Sequence, residues 1–132
     1  MRAVLFLLAC AAPALAAGPD TPLTAGEFDA LVTGKTLTYQ QQDMPFGVEE
    51  YLPDRRVRWS VSPDHCQYGI WYPQARDICF LYEDSPDPAC WTFWLDGGVL
   101  HARSASTGPG ADLHVTDISS QPLSCPGPDV GV

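Results

Sequence analysis

Basic side chains are scarce in this chain: seven Lys and Arg stand against sixteen Asp and Glu, a net charge of −9. That balance excludes a surface that tracks phosphates, so neither nucleic acid nor an anionic membrane is an expected partner. Catalytic signatures are missing as well. The sequence has no G-x-S-x-G elbow and no His set beside a Ser and an Asp in a recognisable pattern. It has no C-x-x-C pair, which removes zinc ribbons and thioredoxin-like redox chemistry. Internal repeats and long linkers are lacking, and nothing calls for a cofactor. The chain is therefore expected not to be an enzyme.

What is present begins with an export signal. Arg2 precedes an apolar run from Val4 to Ala12, and Ala14-Leu15-Ala16 supplies the small-residue cleavage site. Residues 1–17 are too short to remain as a membrane-spanning helix, and cleavage is expected after Ala16 or Ala17. An alternative is a lipobox at Leu7-Leu8-Ala9-Cys10, which would make Cys10 an acylated first residue. The A-x-A reading accounts for more residues. It leaves about 115 residues, enough for one domain with one modest core. It also leaves Cys66, Cys79, Cys90 and Cys125, an even number suited to two disulfides in the periplasm or outside the cell. Loss of Arg2 takes the net charge from −9 to −10, which would steer a cationic partner.

The domain over residues 18–120 opens with one helix. Thr24-Ala-Gly-Glu27 is a capping box, Phe28, Leu31 and Val32 form one apolar stripe, and Gly34 is a C′ glycine, predicting a helix from about Ala25 to Thr33. The rest reads as short strands rich in β-branched and aromatic residues, separated by Pro, Gly and Asp. Hairpins centred on Gly97-Gly98 and Thr107-Gly108 set Phe93 opposite Ala102 and Ala102 opposite Leu113. Turns at Asp43–Phe46, Pro53–Arg56, Gln74–Arg76 and Ser85–Pro88 pair Leu37 with Leu52, Val48 with Val61, Ile70 with Phe80, and Phe80 with Phe93. Six turns thus agree on one apolar face, which also holds Tyr39, Val57, Trp59, Tyr72, Ile78, Tyr82, Trp91, Leu95, Leu100 and Val115. The predicted fold is mainly β: a short helix, then an antiparallel up-and-down meander of about eight strands, closed or nearly closed into a barrel. Residues 121–132 are Pro- and Gly-rich and predict an irregular tail.

On the opposite face these registers gather Trp71, Cys79, Leu81 and Trp94 into an outward apolar stripe that needs a cover. The helix and the tail are the natural covers, with Cys79–Cys125 pinning the tail. Cys66 and Cys90 fall near one end of the middle strand, which favours Cys66–Cys90. In the same registers Cys79 and Cys90 lie more than about 12 Å apart along a strand, beyond disulfide reach.

Glu50 is the polar member of the inward set, between Tyr39 and Trp59. With Gln41 they would line a cavity and orient a ligand. The alternative is a rim position, with Glu49 and Glu50 exchanged by a bulge. His101 and His114 face each other across the last hairpin, where His65 or a carboxylate could complete a metal site; a solvated pair beside an Arg103–Asp112 ion pair is the simpler reading.

The run GIWYPQARDICFLYEDSPDPACWTFW, with GKTLTY and GVEEYLPDRRVRW before it, resembles a class of small exported β-sheet proteins of Gram-negative bacteria with no assigned activity. The resemblance implies an architecture similar to lipocalin-like barrels. Gly69-Ile70-Trp71 lies in mid-meander, whereas lipocalins place their G-x-W near the first strand, and no functional residue is carried over.

Two functions fit this reading. One is a non-catalytic binding protein, a monomer, holding a small apolar or amphipathic ligand near Tyr39, Gln41, Glu50 and Trp59. The other is an inhibitor or interaction protein that engages a cationic secreted hydrolase, such as a lysozyme or protease, through Asp84, Asp87 and Asp96 on its loops. The export reading is checked by intact mass: the exported protein should start at Ala17 or Gly18 and carry two disulfides, and any free thiol would contradict it.

Overall fold

A computed structural model describes residues 18–126. The export segment, with Cys10 and its lipobox alternative, lies outside the described residues, as do residues 127–132 of the tail. After helix α1 (Ala25–Val32) come eight strands: β1 (Thr36–Gln41), β2 (Met44–Tyr51), β3 (Arg56–Ser62), β4 (His65–Gln74), β5 (Asp77–Tyr82), β6 (Ala89–Asp96), β7 (Val99–Ser104) and β8 (Leu113–Ser119). All neighbours are antiparallel, and β8 pairs with β1 to close the barrel. Among the described residues no edge strand is left to pair with another chain. No described helix is long and apolar enough to cross a membrane.

The helix forms because both halves of the capping box are made. Thr24 Oγ1 accepts from the Glu27 amide at 3.2 Å, and the Thr24 amide donates to Glu27 Oε1 at 3.2 Å. Gly34, at φ 82°, ends it, and the exit is tied to β2 by Gly34 N–H to Tyr51 O at 2.7 Å and Tyr51 N–H to Lys35 O at 2.9 Å. Phe28 and Val32 are wholly buried in the end of the barrel. The Phe28 ring meets Tyr51, Trp71 and Phe93 at centroid distances of 5.6, 5.2 and 4.5 Å. The helix is a plug for one end rather than a cover for an outer stripe.

Where two residues make the turn and glycine fills it, the expected register holds: Gly97-Gly98 sets Phe93 opposite Ala102. The longer β7–β8 link also keeps Ala102 opposite Leu113 as expected. Elsewhere four registers differ, that of β2 and β3 by a single residue, with Ser60 rather than Val61 opposite Val48. β4 and β5 join through the two-residue turn Ala75-Arg76, with Ala75 at φ 52°, so Trp71 rather than Ile70 faces Phe80. That one-residue step turns Trp71 inward against Phe28 and leaves Ile70 48% exposed. In β2, Tyr39 pairs with Gly47 but Gln40 with Pro45, so Phe46 is an extra, bulged residue. Beyond it Glu49 and Tyr51 point inward and Glu50 outward; in β3 Val57 and Trp59 keep their inward places, while Val61 is 70% exposed.

The difference between β5 and β6 sets the disulfides. Phe80 lies opposite Ala89 rather than Phe93, a slide of four residues that keeps the faces of both strands but brings Cys79 directly opposite Cys90. The bonds are Cys79–Cys90 and Cys66–Cys125, not the expected Cys66–Cys90 and Cys79–Cys125. The outer stripe is correspondingly smaller. Cys79 is sealed by its partner, and Trp94 is capped by the His101 ring at 5.6 Å and the Arg103 guanidinium at 5.5 Å.

The tail instead crosses the first half of the barrel on its outside. Thr36 Oγ1 on β1 donates to Gln121 O at 2.7 Å, Leu123 N–H donates to Glu50 Oε2 on β2 at 2.9 Å, and Cys125 joins Cys66 on β4. Arg58 of β3 completes the cluster, its Nε donating to the same Glu50 oxygen at 2.9 Å. Cys125→Ser should release this strap and lower stability by about 2–5 kcal/mol. Thermal unfolding measures it, and a variant as stable as the wild type would show that the strap contributes nothing.

Candidate functional site

The helix closes one end of the barrel, and above its plug lies a cavity of about 170 Å³. The floor is aromatic: Tyr51 and Phe93 rest on Phe28 and also line the cavity, and Phe80 packs against both of them. Tyr39, Leu113 and Glu49 line the wall and are buried. Half-buried Phe46, Trp59, Tyr82 and Trp91, with exposed Ala89, make the mouth.

Local sequence explains how these side chains reach their places. The β2 bulge swings Phe46 into the mouth, where its ring lies 5.6 Å from Trp59 and 6.0 Å from Trp91. Gly47, next along, leaves the space that the Trp59 indole fills, since a Cβ there would overlap that ring. Gly69 does the same for Tyr82: its missing Cβ would stand 2.9 Å from Tyr82 Cδ1 and would overlap the Leu81 carbonyl. The glycine of the G-x-W motif thus seats a ring of the cavity wall.

Glu49 is the chemically distinctive residue. It is 1% exposed, lines the cavity, and accepts hydrogen bonds from Tyr82 Oη at 2.9 and 3.1 Å on its two carboxyl oxygens. Among the described residues it has no ion-pair partner. Burial pushes its carboxyl well above the usual carboxylate range, and the Tyr82 hydrogen bond offsets only part of that. Tyr39 and Tyr51 share a hydrogen bond of 2.7 Å between their hydroxyls. Burial raises the phenols of Tyr39, Tyr51 and Tyr82 above their ordinary value, with the Glu49 charge adding to the shift, so all three are neutral donors and acceptors.

Of the four residues expected in the pocket, Tyr39 and Trp59 line it. Glu50 does not: it is opposite Thr36 and Arg58, outside the barrel, holding the tail. Gln41 lies at the mouth end of β1, where its Nε2 donates to Ala111 O at 2.8 Å and ties down the β7–β8 loop. The sequence signal for the true acid was the doublet Glu49-Glu50, in which parity alone chooses the inner member.

The other candidate groups separate. His101 and His114 are paired across β7 and β8 with ring centroids 6.2 Å apart, and no set of three metal-ligating side chains occurs among the described residues. Asp112 is bound by Arg103 at 2.7 and 2.6 Å. Asp84 and Asp87 lie in the β5–β6 loop at the mouth, Asp84 3.6 Å from His65, whereas Asp96 ends β6 at the helix end. The three aspartates do not form one surface. No family model, curated protein or solved structure matches the chain.

Folding holds a proton on Glu49 that the unfolded chain, titrating near the ordinary value of about 4.3, gives up. The stability it contributes is complete below that ordinary value and is lost as pH rises toward the folded value. Glu49→Gln, which carries no such proton, should therefore gain on the wild type with rising pH, by up to about 1.4 kcal/mol per pH unit across that interval. Unfolding midpoints at pH 4 and pH 8 test this; a constant difference would contradict it.

Proposed function

We propose that this protein is an exported, non-catalytic binding protein that holds a small ligand inside its barrel. The observation that carries the reading is the cavity of about 170 Å³ with a buried, unpaired acid in its depth and aromatic rings at its mouth. A few convergent polar groups in an otherwise apolar hollow are the usual make-up of a ligand site. A cavity of about 150 Å³ suffices for a benzene-sized molecule, which sets the scale of the ligand. Catalysis has less support. The cavity has one carboxyl group and three tyrosines, and no second group matched to it as base or nucleophile.

The two disulfides suit an oxidising compartment, and with the signal-like N-terminus they support a periplasmic or secreted location. The sequence resemblance to exported β-sheet proteins of Gram-negative bacteria is part of the same proposal. An interaction protein for a cationic hydrolase is the second reading. It is supported by Asp84 and Asp87 at the mouth but has lost Asp96 to the opposite end.

Tryptophan fluorescence titrated with pooled small metabolites and lipids is the test. A bound ligand should change emission from Trp59 and Trp91, and the change should fall when Trp91 is replaced by Phe. No response to any compound of this size would overturn the reading.

A further inference from the structure

We propose that the barrel interior is a receptor for a small primary amine with an apolar body, its ammonium head taken by Glu49 and its body by Phe46, Trp59 and Trp91. The inference rests on the reading of the cavity as a ligand site. It adds the chemical class of the ligand.

Three observations converge on a cation. The first is the unmatched acid. Glu49 is 1% exposed, and its only hydrogen-bond donor among the described side chains is the neutral Tyr82 hydroxyl. A buried carboxyl group is stable as an ion only beside an opposite charge, and no described Lys, Arg or His supplies one. An ammonium group brings that charge with three N–H donors, for which the carboxylate and the hydroxyl oxygens of Tyr39, Tyr51 and Tyr82 are acceptors lining the same hollow. The second is the wall. Phe46 stands 5.6 Å from Trp59 and 6.0 Å from Trp91, and the faces of such rings attract cations as well as apolar groups.

The third is the distribution of charge between the two ends. In an up-and-down barrel alternate connections share an end, so the links between β1 and β2, β3 and β4, β5 and β6, and β7 and β8 surround the mouth. They carry Asp43, Asp64, Glu83, Asp84, Asp87 and Asp112 and no Lys or Arg. Lys35, Arg55, Arg56 and Arg76 all lie at the helix end; Arg58 is bound to Glu50 on the outer wall and Arg103 to Asp112. A cation is drawn toward this mouth and an anion is turned away.

Binding moves one proton. The neutral Glu49 carboxyl group releases its proton to solvent as the ammonium enters, so the amine competes with H⁺ and binds more tightly as pH rises. The titratable groups that face Glu49 are Tyr39 from β1, Tyr51 from its own strand and Tyr82 from β5. β3 contributes Trp59, with Arg58 turned outward to Glu50.

The test uses the full disulfide-bonded protein and two probes of equal size, benzylamine and benzyl alcohol, titrated calorimetrically at pH 8 and pH 5 in buffers of different ionisation heat. Benzylamine should bind at least about tenfold more tightly than the alcohol at pH 8, with the advantage shrinking at pH 5 and protons released on binding. In Glu49→Gln the preference should vanish while alcohol binding persists. Equal or tighter binding of the alcohol by the wild type, with no proton released, would overturn the amine assignment and leave the binding function standing. If neither probe binds, the amine assignment falls, and the binding function is decided by the fluorescence titration with pooled compounds. The wild-type comparison decides between these outcomes even if the variant does not fold.

Discussion

The register of β2 governs the interior of this molecule. It is held at one end by the bulge at Phe46 and at the other by the paired backbone bonds that join Tyr51 to the helix exit. Between those anchors, side chains must alternate, and the alternation sends Glu49 to the cavity and Glu50 to the tail. A slip of one residue would bury the glutamate that now binds Arg58 and would leave the strap without its acceptor. The same slip would turn Tyr51 off the Phe28 plug. Cavity, plug and strap are thus three readings of one strand.

Much of the architecture was legible because it depends on patterns that survive local error. The capping box and the apolar stripe of α1, the count of eight strands and the barrel itself follow from residue type and spacing. So does the last meander, where a two-glycine turn leaves little freedom. What was not legible lay in single steps. Ala75 adopts a positive φ without being glycine, so a two-residue turn was hidden in Gln74–Arg76. The β2 bulge, which the Glu49-Glu50 doublet admitted only as an alternative, has a position that alternation does not announce. The β5–β6 link is a loop of six residues, over which the register can slide by an even number and leave every face unchanged. The faces were therefore right and the cysteine partners wrong.

The candidate site suffered from the same parity. Tyr39 and Trp59 line the cavity because they sit on strands whose faces were read correctly, whereas Glu50 lies outside, and the alternative, its exchange with Glu49 by a bulge, is the arrangement present. Gly47 and Gly69 were the signals with most information. Each is an inward position kept empty for the ring of a neighbouring strand, and an inward glycine in a barrel of this size marks where the wall has been thinned for the benefit of the hollow.

The strap has a topological consequence. Cys66–Cys125 spans the chain from β4 to the tail, and Cys79–Cys90 lies wholly within that span. Cut once anywhere between residues 66 and 125, the backbone still yields a single covalent molecule. The loops β5–β6 and β7–β8, half of those that surround the mouth, fall inside this protected stretch. Wherever a protease reaches the rim, the side built from the later strands can be nicked without shedding a fragment.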